Sequence, residues 1–130
     1  MRAATIDGST FVGSISEIAR AVARPAADIV DREARFPSEA RDALRAARAL
    51  SAHVPPAFGG GGAPFGEVAS ACFELSRACA ATGMVYAMHQ IQVGCIARHG
   101  AGTPSYAGTF DVPGDTTSDD YISVHLAAGG

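Results

Sequence analysis

Apolar residues recur at helical spacing in four stretches of the chain, and only Tyr121–Leu126 alternates as a strand does. The pattern predicts an all-α fold: a small orthogonal or up-down bundle of about four helices, with an irregular amino terminus and a carboxy-terminal tail. Residues 1–13 lack periodicity and read as a loose lead-in. Ser14 and Glu17 have capping-box spacing and predict the first helix start, after which Ile15, Ile18, Val22, Ile29 and Val30 share a face. Pro25 interrupts that face and predicts a kink or a split. Asp28 with Arg32, and Asp31 with Arg35, are spaced for solvent-side ion pairs.

Pro37 predicts the first residue of a second helix, with Glu39 in its first turn where the dipole favours an acid. Ala40, Ala43, Leu44, Ala47 and Leu50 form its narrow apolar stripe, and Arg41, Arg45 and Arg48 read as a solvated basic strip. Pro55-Pro56, the glycines Gly59–Gly62 and Pro64 impose a loop from Ser51 to Pro64, extended at His53-Val54. No Gly-Lys-Ser or Gly-Lys-Thr follows the glycines, so they read as backbone lying close to a neighbouring element, not as a phosphate loop. Pro64 opens a third helix running to about Ala80, with Phe65, Val68, Ala69, Cys72, Leu75, Ser76 and Cys79 on one face.

The stretch Ala80–Gly100 is apolar on nearly every side, which predicts a buried central helix capped by Thr82 and ended by Gly100. Its polar residues cluster at Tyr86, His89, Gln90 and Gln92. Those polar groups near its midpoint argue against a membrane span. Cys95 and His99 have a metal-compatible i, i+4 spacing, but two ligands make no site and no metal is expected.

Composition changes this picture at two points. All ten basic side chains other than histidine are arginines that lie before position 100, whereas Asp111, Asp115, Asp119 and Asp120 lie after it. No dense basic face for nucleic acid results. The chain therefore divides into the lead-in 1–13, a helical domain 14–100, and an acidic Gly/Pro/Thr-rich tail 101–130 that is expected to be disordered. Three cysteines, all in helical patterns, read as reduced and buried, and the amino terminus lacks a signal-peptide core, so the expected compartment is cytoplasmic.

The helix from Phe36 to Leu50, the extended Val54–Gly62 segment, the helix opening at Pro64 and the closing helix through Ile96–Gly100 occur in an order and spacing that resembles the amino-terminal α-helical domain of the acyl-CoA dehydrogenase family. Arg48 stands where that family usually places a helix-ending glycine. The resemblance implies an FAD-dependent flavoprotein oxidoreductase: a glutamate removes the proton α to the thioester carbonyl while the β hydride passes to the flavin. It also implies an acyl-CoA substrate and an electron-transferring flavoprotein as partner. The β domain, the carboxy-terminal bundle and the catalytic glutamate of complete members have no counterpart here, so the chain reads as a truncated or frame-shifted fragment, inactive alone and without catalytic residues of its own. By position in the family, Tyr86, His89, Gln90 and Val93 are the expected substrate-binding residues, lining the distal acyl pocket on one helix face. The competing expectation is a non-catalytic interaction module that uses the exposed face of the central helix, including for self-association. A third is an independent small-molecule binder that uses the pocket wall alone.

Overall fold

The computed structural model describes residues 8–100, with side chains from Thr10 to Arg98. The lead-in before Gly8 and the tail 101–130 lie outside the described residues. Five α-helices follow one another: α1 (Gly8–Ile18), α2 (Arg24–Arg32), α3 (Ser38–Ala46), α4 (Phe65–Ala78) and α5 (Ala80–Gly100). No strand occurs among the described residues, and the all-α expectation holds.

The first helix is already formed at Gly8, ahead of the start expected at Ser14. Phe11, Ile15 and Ala19 form a buried i, i+4 stripe against the core, and this packing outweighs the weak helix propensity of the Thr-Phe-Val segment. Ser14 therefore lies inside a helix, and Glu17 bonds to Arg20 instead of closing a capping box. The segment divides at Pro25 without leaving the helical conformation. A π-helical turn over Ala19–Ala23 joins α1 to α2, and Pro25 falls in the first turn of α2, where its missing amide hydrogen costs least. The turn also rotates the following face, leaving Ile29 exposed while Val30 is buried.

A short turn carries the chain from α2 to α3. Arg35 lies in it and donates to Glu39 at 2.7 and 2.9 Å, so the expected Asp31–Arg35 pair gives way to a link from the turn to α3. Pro37 sits just before α3 and not within it. Ala40 and Leu44 face the core, whereas Ala47 is exposed. Helix α3 ends on Arg48 in the left-handed conformation (φ 57°), so the turn keeps the shape that glycine would give it.

The following loop closes on itself through backbone hydrogen bonds. Gly61, Gly62 and Ala63 donate to the carbonyls of Ser51, Val54 and Ala52 at 3.1, 2.8 and 2.7 Å. At Gly60 an added Cβ would fall on the Val54 backbone, so the close approach expected of the glycine run is present.

Only Cys79, in extended conformation, separates α4 from α5, and the two helices run back along each other. They touch most closely at Gly83, whose missing side chain leaves room for Ser76. On α4 the buried positions are Val68, Ala71 and Leu75; Phe65, Ala69 and Ser76 of the expected face are exposed. Helix α5 starts two residues ahead of Thr82, so Thr82 caps nothing. Its apolar surface is only partly covered: Tyr86, Gln90 and Val93 face inward, while Met84 (64% exposed), Met88 (51%) and Ile91 (59%) do not. The thiols are free, and Cys79 is buried and Cys72 half-buried, but Cys95 is exposed, against expectation. No helix among the described residues is long and apolar enough to cross a membrane.

Candidate functional site

The polar middle of α5 converges on two successive carbonyls. A short 3-10 turn, Ala49–Ser51, brings the carbonyls of Ala49 and Leu50 against the helix. Tyr86 Oη donates to Ala49 O at 3.0 Å, Gln90 Nε2 donates to both carbonyls at 3.2 and 3.1 Å, and His89 Nε2 donates to Leu50 O at 2.9 Å. Side chains at i, i+3 and i+4 share one face of a helix, which is how three of them reach adjacent acceptors. A carbonyl only accepts, so the contact fixes His89 with its proton on Nε2 and leaves Nδ1 free. Burial pushes the Tyr86 phenol well above its usual range, with the nearby Cys72 adding to the rise, so Tyr86 is a hydrogen-bond donor and not an acid.

Of the four residues singled out in the sequence, three meet at this carbonyl pair. Val93 is buried one turn further along α5 and adds only apolar surface. Gln92, the remaining polar residue of the stretch, is exposed.

Two concavities flank the clamp. One, of about 250 Å³, lies between α3 and α5 and is lined by Leu44, Arg45, Leu50, Thr82, Val85 and His89 among others. The Thr82 hydroxyl is buried there with no hydrogen-bond partner. The sequence marked Thr82 as a helix cap, so it did not stand out as a site residue. The second concavity is an open groove of about 710 Å³ between α4 and α5, with Phe65, Cys72, Gln90, Ile91, Cys95 and Arg98 on its walls. The Gln90 Oε1 atom is buried without a partner. His53 borders this groove, held by Nδ1 donating to Ala63 O at 2.9 Å.

The described residues do not form a cradle for a flavin diphosphate. The amides of Gly59, Gly60, Gly61 and Gly62, the obvious donors, are all bonded to carbonyls of their own loop, at 2.9, 3.3, 3.1 and 2.8 Å. No group of three or more metal-ligating side chains occurs among the described residues, and the His99 side chain lies outside them.

The family model "Acyl-CoA dehydrogenase, N-terminal domain" matches residues 7–103. The chain is similar to the 3-sulfinopropanoyl-CoA desulfinase of Paraburkholderia xenovorans (strain LB400), at 32% identity over 78 residues. That alignment covers 59% of this chain but 20% of the relative, so the chain spans about a fifth of the relative's length. No solved structure matches the chain significantly. A match to the domain model over most of the chain shows that it belongs to the acyl-CoA dehydrogenase family, through that family's amino-terminal helical domain.

Proposed function

We propose that the chain is the amino-terminal helical part of a flavoenzyme that dehydrogenates acyl-CoA, and that it carries no catalysis alone. The observation that carries this reading is the domain match over residues 7–103. In this reading Tyr86, His89, Gln90 and Val93 form one wall of the acyl pocket, and the hydrogen bonds to Ala49 O and Leu50 O hold that wall rigid. The catalytic glutamate and the FAD site belong to other parts of such an enzyme, consistent with the loop amides being committed to their own carbonyls. An electron-transferring flavoprotein as acceptor and a cytosolic location complete the proposal.

Mixing the full chain with FAD and a short acyl-CoA tests the inactivity. No flavin is expected to co-elute with the protein, and flavin that co-elutes and bleaches on acyl-CoA addition overturns that part of the reading.

A second reading, a non-catalytic interaction module, is favoured by the exposed Met84, Met88 and Ile91 on α5. Size-exclusion chromatography separates the two: a monodisperse monomer that binds neither a hydrophobic dye nor a candidate partner counts against the module.

A further inference from the structure

The geometry points to a binding site for a small free carboxylate with an apolar body, in the cavity between α3 and α5. The site requires neither flavin nor thioester, so it stands apart from the flavoenzyme reading, although Tyr86 and His89 appear in both.

The volume, about 250 Å³, equals that of roughly eight liquid waters, enough for a single ring or a short aliphatic chain. Leu44, Leu50 and Val85 supply apolar walls against which such a body displaces water. Two polar groups in the lining lack full satisfaction, the Thr82 hydroxyl and the Arg45 guanidinium. The Thr82 hydroxyl is the deeper: the residue is 2% exposed and its oxygen meets no partner. Native proteins rarely leave a buried hydroxyl unpaired without a water or ligand to meet it.

Arg45 supplies the charge. Its neighbour Arg41 is committed, bonded to Asp42 at 2.8 Å and lying over the Phe36 ring at 5.5 Å. Arg45 has no carboxylate within 4.0 Å among the described residues, and it lines the same cavity. The basic strip of α3 is therefore not uniform: one of its cations borders an apolar cavity with a buried hydroxyl.

One free cation on apolar walls suits a monoanion better than a phosphate, which is more heavily hydrated and needs several donors. It also distinguishes a carboxylate from its neutral isostere, because only the anion gains a charge-assisted hydrogen bond at Arg45.

The test is a titration of the full chain, uniformly labelled with nitrogen-15, with sodium benzoate and sodium hexanoate. Benzamide serves as the neutral isostere and inorganic phosphate as the bare anion. Saturable amide shifts confined to α3 and α5 are expected for both carboxylates and for neither control. Arg45→Gln, a surface change, is expected to weaken binding about tenfold, and Thr82→Val to weaken it with the spectrum otherwise retained. Shifts that do not saturate, equal binding of benzamide, shifts centred on the α4–α5 groove, or unchanged affinity in Arg45→Gln each overturn the proposal.

Discussion

Arg48 holds a left-handed conformation (φ 57°) immediately after α3, and its guanidinium reaches across to donate to Gly59 O at 3.1 Å. A non-glycine residue in that conformation costs about 1–2 kcal/mol, while glycine loses about 0.5–1 kcal/mol more entropy on folding. Arg48→Gly is therefore expected to raise stability by up to about 1 kcal/mol, less whatever the exposed Arg48–Gly59 bond contributes. A urea midpoint that falls instead would show that this bond matters more than the strain. The carbonyl clamp gives a second residue-scale expectation. Tyr86→Phe leaves Ala49 O still bonded to Gln90, so the loss should be about 1 kcal/mol. Removing Gln90 as well, as Leu, leaves Ala49 O with only the long contact from the Ala52 amide, at 3.3 Å. The double variant should then cost up to about 1 kcal/mol more than the sum of the two single changes, measurable as a double-mutant cycle by denaturant unfolding.

At the scale of elements, the α4–α5 pair depends on Gly83. Helix propensity alone predicts that Gly83→Ala stabilises, by about 1 kcal/mol. Packing predicts the reverse, because the new Cβ would collide with Ser76 Oγ and lie 2.7 Å from Ser76 Cα. Backbone cannot rotate away, so a net loss of about 1–3 kcal/mol is expected, visible as a lower thermal midpoint. The α2–α3 turn yields an acid-dependent expectation. The Arg35 hydrogen bond holds the Glu39 carboxyl down to about 2, from an ordinary 4.5, with the local backbone hydrogen bond second in effect. A depressed carboxylate contributes stability that is fully present above about pH 4.5 and is lost as pH falls toward about 2. Both partners remain partly exposed, so the contribution is modest. Glu39→Gln should flatten the dependence of the unfolding midpoint on pH between those limits and leave it unchanged in slope above them.

For the whole molecule, the uncovered side of α5 sets the solution behaviour. Met84, Met88 and Ile91 recur at i, i+4 and i+7 and expose one apolar stripe beside the α4–α5 groove. The double change Met88→Glu, Ile91→Glu is expected to preserve helical circular dichroism and to reduce hydrophobic-dye binding by about half or more. Unchanged dye binding would place the accessible apolar surface elsewhere.

Helix class and the loop at Ser51–Pro64 were legible in the sequence, because periodicity, proline and glycine act locally. The resemblance of the segment order to a known family was legible for the same reason. What remained out of reach depended on neighbours distant in the chain. The helix ahead of Ser14 follows from Phe11 packing into the core, and the π turn that carries the chain into Pro25 is one that no local propensity signals. The even apolarity of α5 concealed which side is covered, since a helix apolar all round carries no directional signal. Tyr86, His89 and Gln90 were visible as a polar cluster. Only the tertiary structure decided that they bind Ala49 O and Leu50 O, because hydrogen bonds spanning 37 to 41 residues depend on where the 3-10 turn after α3 comes to rest.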